Sequence, residues 1–140
     1  MPSIHRSALV EHSAARMFDL VNDVAAYPRR FAWCEQAHVL EQDETRMLAR
    51  LDLGLGSLRT WFTTENRLEL PHRIDMQLRE GPFRKLHGVW TFHALDEASC
   101  KVALTLDFEP KSRLLVPVLT LGFQGLADRM VDDFVRVADG

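Results

Sequence analysis

The chain has 140 residues, of which 46% are hydrophobic and 26% charged, and its formal net charge is −3 at pH 7. This length predicts a single domain, residues 1–140, with one core, and the composition is typical of a soluble globular protein. The negative charge disfavours DNA as a partner, because phosphate recognition needs a local excess of lysine and arginine. Two cysteines without CxxC spacing exclude a disulfide scaffold, so we expect reduced, buried thiols.

The sequence also shows no recognisable targeting signal. Residues 1–6 lack the apolar run of a signal peptide, and no apolar run reaches the roughly 20 residues of a membrane span. We therefore expect a cytoplasmic protein, whose membrane contact, if it has any, is peripheral and at the inner membrane.

The first part of the chain predicts one strand and two short helices. Apolar residues alternate over residues 4–10, which indicates a strand. Ser13 is suited to cap a first helix. Asp23 is suited to cap a second, which should end before Pro28 because the residue before proline avoids the α region. The block Tyr27–Cys34 follows, and its aromatic side chains need burial.

From residue 37 to residue 109 the apolar period is two, which predicts about six further strands. Turn residues separate them at 54–56, 70–72, 80–82 and 96–99. Strands that follow one another through such short loops favour an antiparallel sheet.

After Pro110 the pattern becomes helical, with apolar residues three, four and seven apart. Ser112 is the candidate N-cap, and Pro117 is tolerated near the first turn. Gly122 and Gly125 each weaken the helix by roughly 1 kcal/mol relative to alanine, which indicates either a close approach or simple helix–sheet packing. The apolar positions are Leu115, Val118, Leu119, Leu126, Met130, Phe134 and Val137.

Together these elements predict an α+β fold, in which a curved antiparallel sheet of about seven strands wraps on a long C-terminal helix. The block Tyr27–Cys34, with Phe31 inside it, and the stretch Gly81–Phe92, which reads GPFxxLxGxWxF, resemble the two motifs of the Coq10/RatA family. That family belongs to the START-like (SRPBCC, polyketide cyclase/dehydrase-like) helix-grip superfamily. Ala32 stands where the family usually has proline.

The resemblance implies a cavity between the sheet and the last helix. Members are linked to ubiquinone binding, one is described as a toxin that binds the large ribosomal subunit and blocks subunit association, and the superfamily holds polyketide cyclases. We expect a non-enzymatic binding protein for a hydrophobic ligand, ubiquinone or a polyprenyl-quinone intermediate, that supports respiratory electron transfer and needs no cofactor. A RatA-like toxin and a polyketide cyclase/aromatase remain alternatives.

The expected site is apolar, with basic residues beside it. The basic residues suit lipid headgroups or ribosomal RNA phosphates, although a filled core with a solvated rim fits the same residues. The predicted cavity residues are Phe31, Trp33, Trp61, Phe83, Leu86, Trp90, Phe92, Leu119, Phe123, Leu126 and Met130. The predicted mouth or partner contacts are Tyr27, Pro28, Arg29, Arg30, Arg84 and Lys85.

No catalytic or metal-binding residue is predicted. The six histidines are scattered, and HExxH, GxSxG and phosphate-loop motifs are absent from the sequence. His87 and His93 share the strand face opposite Trp90, so they should face solvent. Cys34 lacks a partner base that the sequence identifies, so we expect it to pack rather than react.

Overall fold

The computed structural model describes residues 2–140 and contains seven strands and a long C-terminal helix there. The strands are β1 Ser3–Val10, β2 Cys34–Gln42, β3 Arg46–Leu55, β4 Leu58–Glu69, β5 Arg73–Glu80, β6 Phe83–Asp96 and β7 Ser99–Pro110. The helices are α1 Ala14–Asn22, α2 Tyr27–Arg30 and α3 Val116–Asp139, with 3₁₀ turns at Val24–Ala26 and Arg113–Leu115.

All seven strands belong to one antiparallel sheet, in the order β1-β7-β6-β5-β4-β3-β2. Consecutive strands from β2 to β7 are neighbours, and β1 closes the other edge by pairing with β7. Gly56 has φ 69° in the tight β3–β4 turn, a backbone conformation that glycine tolerates best. The predicted α+β helix-grip fold, with its seven strands and two short helices after the first, is confirmed.

Alternation along the strands decides which face is buried. Every second residue lies in the core from Leu86 to Phe92 of β6 and from Cys100 to Pro110 of β7, as the period of two predicts. The opposite face carries ion pairs, such as Arg46 with Glu65 (3.0 Å) and Arg50 with Asp52 (2.8 Å). The buried alternating residues are Leu86, Gly88, Trp90, Phe92, Val102, Leu104, Leu106 and Phe108.

The long helix covers this apolar face through its own aromatic side chains. The ring centroids of Phe123 and Phe108 are 4.8 Å apart, and those of Phe134 and Trp90 are 5.5 Å apart. Helix α1 packs beside α3 and begins at a capping bond, in which the backbone N–H of Arg16 donates to Ser13 Oγ (3.1 Å). The predicted Ser13 cap is therefore confirmed.

Three local predictions are wrong. The predicted short helix after Asp23 is the 3₁₀ turn Val24–Ala26, which does end before Pro28, but Asp23 makes no side-chain capping bond. Pro28 itself lies in the first turn of a further helix, α2, because a first-turn residue needs no backbone donor. Ser112 makes no side-chain capping bond, and α3 begins after Leu115. Leu115 and Val118 are exposed, because the stripe that packs on the sheet begins at Leu119.

The expectation that no segment could span a membrane also needs correction. The stretch Arg113–Asp139 is long and apolar enough to do so by length and composition alone. The core helix of a soluble domain passes the same test, and here Phe123 and Phe134 of α3 are buried against the sheet.

Gly122 and Gly125 form a matched pair for testing how closely α3 approaches the sheet. A Cβ added at Gly122 would lie 3.0 Å from Leu55 Cβ, whereas one at Gly125 would meet nothing within 4 Å. We expect Gly125→Ala to raise the free energy of unfolding by about 0.5–1 kcal/mol. Gly122→Ala should raise it less or lower it, as measured by urea denaturation. Equal stabilisation by both changes would contradict the close approach.

Candidate functional site

The aromatic block after α1 is buried rather than placed at an opening. Phe31 and Trp33 stack with ring centroids 4.9 Å apart and planes 8° from parallel. Phe134 of α3 contacts both rings. Trp33 also donates its Nε1–H to Asp133 Oδ2 (3.0 Å), which ties the block to α3. These side chains therefore hold the helix to the sheet.

Tyr27 lies at the centre of the same block. Its side chain is 3% exposed, and its hydroxyl donates to the backbone carbonyl of Val21. Burial raises the pKa of Tyr27 far above its usual value, so the phenol stays neutral. The prediction that Tyr27 lies at a cavity mouth is wrong, since it belongs to the interior, whereas Pro28 is exposed.

A small cavity does lie between the inner face of the sheet and the helices, with a volume of about 60 Å³. Sites for drug-sized ligands usually measure ~300–1,000 Å³. The space therefore holds a few water-sized groups, and a quinone ring needs it to expand. Its walls are Val21, Asn22, Val24, Tyr27, Ala49, Leu51, Leu53, Phe62, Thr64, Asn66, Ile74, Met76, Trp90, Leu104, Leu106, Phe123, Leu126 and Met130.

Four of the eleven predicted cavity residues line this space: Trp90, Phe123, Leu126 and Met130. Six others are buried elsewhere in the core: Phe31, Trp33, Phe83, Leu86, Phe92 and Leu119. Trp61 lies on the opposite face of the sheet, where the guanidinium of Arg50 stands 4.1 Å from the centroid of its ring. Its assignment to the cavity is wrong, because it alternates with Phe62, which faces inward.

Polar groups in the cavity wall were missed by the sequence analysis. Thr64 Oγ1 donates to Asn66 Oδ1 (2.7 Å), and both residues are buried on β4. Asn22 Oδ1 is buried without a hydrogen-bond partner among residues 2–140. A buried acceptor of this kind favours a donor from water or a ligand. The alternation along β4 places Thr64 and Asn66 on the same face as Phe62, and this spacing could have predicted that both residues face the cavity.

The two cysteines lie in the interior, whereas His87 and His93 lie outside it. Cys34 and Cys100 are free and buried. Burial raises the pKa of the Cys34 thiol to about 11, so it is protonated near neutral pH. His87 lies on the outer face, 3.2 Å from Asp75, and His93 is exposed, as predicted. Residues 2–140 contain no cluster of three metal-ligating side chains.

The predicted basic contacts fall into two separate places. Arg29 and Arg30 lie on α2, and Arg30 pairs with Asp23 (3.1 Å). Arg84 and Lys85 begin β6, which three strands separate from the edge strand β2 beside α2. Both are exposed and, within residues 2–140, take part in no recorded ion pair. Most arginines of the outer face are neutralised by acidic neighbours.

Comparison with known proteins identifies relatives over the whole fold. A family model described as polyketide cyclase / dehydrase and lipid transport matches residues 10–135. The ribosome association toxin RatA of Pseudomonas aeruginosa is 45% identical over 96% of this chain and 94% of its own length. The coenzyme Q-binding protein COQ10 of Drosophila melanogaster is 25% identical over 94% of this chain and 56% of its own length.

Solved structures agree on the fold. A protein from Thermus thermophilus superposes with a TM-score of 0.86 at 18% identity, covering 99% of this chain and all of that one. A Streptomyces aromatase/cyclase superposes with a TM-score of 0.85 at 18% identity, covering 98% of this chain and 93% of its own. The family model and the 45% identical relative, rather than these structures, confirm the predicted membership of the START-like superfamily and of its Coq10/RatA branch.

Tyr27→Phe tests whether the buried hydroxyl is structural. The change leaves the Val21 carbonyl without its donor in the core, so we expect the free energy of unfolding to fall by about 1–3 kcal/mol. Urea denaturation followed by tryptophan fluorescence measures this. Unchanged stability would show that water reaches the carbonyl and that the block is less closed than described.

Proposed function

The chain belongs to the polyketide cyclase / dehydrase and lipid transport family, and within that family we propose that it acts as a ribosome association toxin. In this proposal it is not an enzyme; it binds the large ribosomal subunit in the cytoplasm and blocks association with the small subunit. The observation that carries the proposal is the 45% identity to RatA of Pseudomonas aeruginosa over 96% of this chain. Quinone binding, which the sequence alone favoured, becomes the second candidate.

The structure supports a role at the surface. The cavity beneath α3 has a volume of about 60 Å³, which is small for a substrate or a prenyl chain. Arg84 and Lys85 are exposed and unpaired among residues 2–140, and they stand at the two unspecified positions that follow Phe83 in the GPFxxLxGxWxF motif. Such side chains bind phosphate oxygens without needing a pocket. We propose that they contact ribosomal RNA.

Sucrose-gradient profiling tests this function. Overexpression of the chain should raise the free subunits at the expense of whole ribosomes, and the chain should sediment with the large subunit. Arg84→Glu/Lys85→Glu should weaken co-sedimentation more than about tenfold, because attraction to phosphate becomes repulsion.

The matched control is Lys101→Glu/Arg129→Glu, which changes the net charge equally at two other exposed residues without a recorded ion pair in residues 2–140. It should bind like the wild type. A gradient left unchanged by overexpression would refute the toxin function, and equal loss in both variants would refute the proposed contact.

A second candidate is the binding of a hydrophobic ligand such as ubiquinone. The observation that favours it is the unpartnered Asn22 Oδ1 in an otherwise mostly apolar cavity wall. A carbonyl-bearing quinone supplies no donor to that oxygen, whereas a phenolic or hydroquinone form does. A reduced or hydroxylated ring therefore fits the wall better than the oxidised quinone.

Ala49→Val separates the two candidates, since Ala49 lines the cavity at 3% exposure. The added methyl groups narrow a space of about 60 Å³. If the chain is a ribosome toxin, Ala49→Val should keep full co-sedimentation with the large subunit. If it binds a quinol, native mass spectrometry should show the ligand on the wild type and a loss of more than about tenfold in affinity for the variant. No bound isoprenoid and no binding in titration would refute this candidate.

A further inference from the structure

The first half of α3 carries more apolar surface than the core uses. Residues 114–127 contain no charged side chain. An 18-residue window of the stretch Arg113–Asp139 has a mean hydropathy of 1.3, yet only 28% of it is buried. A helix that is apolar on all sides is normally buried on all sides. Here the sheet covers one side only, so the other lies open.

Four aliphatic side chains make up this open surface, which we call the leucine face: Leu114, Leu115, Val118 and Leu121. Leu114 is 90% exposed and Leu121 is 71% exposed. Val118 and Leu121 are three residues apart and project from one side of α3. Leu114 and Leu115 lie in the 3₁₀ turn that leads directly into the helix. The buried side of the helix carries Leu119, Phe123 and Leu126 instead.

The second half of the same helix provides an internal comparison. Its solvent side carries Asp128, Arg129, Asp132 and Arg136, all exposed. Arg6 of β1 pairs with Asp128. That half is an ordinary amphipathic surface helix. The exposure of leucines in the first half is therefore a local property of residues 114–121.

Basic residues border the leucine face. Lys111 and Arg113 precede it directly, are exposed, and take part in no recorded ion pair within residues 2–140. The backbone N–H of Lys111 donates to the carbonyl of Pro82 (3.1 Å), which brings the β5–β6 turn beside this segment. The nearby carboxylates of Glu80 and Glu109 are not recorded in an ion pair with either residue.

We propose that the leucine face docks on an anionic lipid bilayer, with its aliphatic side chains at the acyl boundary and Lys111 and Arg113 on the phosphate headgroups. This combination of a protruding apolar surface with basic residues at its edge suits an interfacial helix. A second copy of the chain would bring like charges together. An RNA surface offers phosphates but little apolar area for four aliphatic chains. The proposal goes beyond ribosome association and rests on other residues.

Vesicle co-sedimentation of the full chain tests the proposal. The probes are vesicles of phosphatidylcholine alone and vesicles of phosphatidylcholine mixed with phosphatidylglycerol. We expect binding to the mixed vesicles that weakens as NaCl is raised, because salt screens the headgroup contacts. Leu114→Ser/Leu121→Ser and Lys111→Glu/Arg113→Glu should each weaken it more than about tenfold.

The matched control is Leu9→Ser/Leu95→Ser, since Leu9 and Leu95 are 73% and 53% exposed on other elements. It should bind vesicles like the wild type, and all variants are checked by thermal denaturation. Failure of the wild type to bind mixed vesicles would overturn the proposal, as would unchanged binding by Leu114→Ser/Leu121→Ser. The proposal would also be overturned if the wild type were a dimer that Leu114→Ser/Leu121→Ser converts to a monomer. It would likewise be overturned if that variant lost ribosome co-sedimentation while the wild type did not bind vesicles.

Arg84 and Lys85 lie at the same end of the sheet as Lys111, since Phe83 pairs with Pro110 and Lys85 with Glu109. Arg84→Glu/Lys85→Glu is therefore measured in both assays, and a loss of ribosome co-sedimentation with vesicle binding retained is the result that reports on the ribosome contact.

Discussion

The packing of Phe134 against the sheet is the contact on which the rest of the structure depends. The centroid of its ring lies 4.8 Å from the ring centroid of Phe31, 5.5 Å from that of Trp90 and 5.6 Å from that of Tyr27. One residue of α3 thus joins the helix to the aromatic block and to the middle of β6. Aromatic pairs of this kind add about 0.5–1.5 kcal/mol each beyond area burial. This packing fixes where the helix lies across the sheet.

The volume of the cavity between α3 and the sheet depends on that packing. Aromatic side chains occupy much of the region between α3 and the sheet, and the cavity beside them has a volume of about 60 Å³. The same fold in other proteins is compatible with different functions, since fold alone does not determine function. On the outside of the protein, the basic side chains of Arg84 and Lys85 at the start of β6 form no ion pair within residues 2–140, and the leucines near the start of α3 are uncovered. Both features favour partners that bind the surface of the protein.

The sequence predicts the fold well because the period of two and the helical period each follow from which side of an element is buried. It predicts the cavity less well, for two physical reasons. Thr64 and Asn66 occupy inward positions of β4, so polarity concealed the phase of that strand and Trp61 was assigned to the wrong face. Cavity volume also depends on how rings from distant segments fit together, such as Phe31 and Phe134. The pairing of Arg30 with Asp23 is likewise a property of the folded chain.

Hydrogen–deuterium exchange of the chain with and without purified large ribosomal subunits tests the central claim most directly, because it locates the contact without any substitution. We expect slower exchange in the segment around Arg84 and Lys85 on addition of the subunit. Exchange in the β4 segment around Thr64 and Asn66 should stay unchanged, since that part faces the small cavity. Exchange that is unchanged everywhere, or slowed only in cavity-lining segments, would contradict that claim.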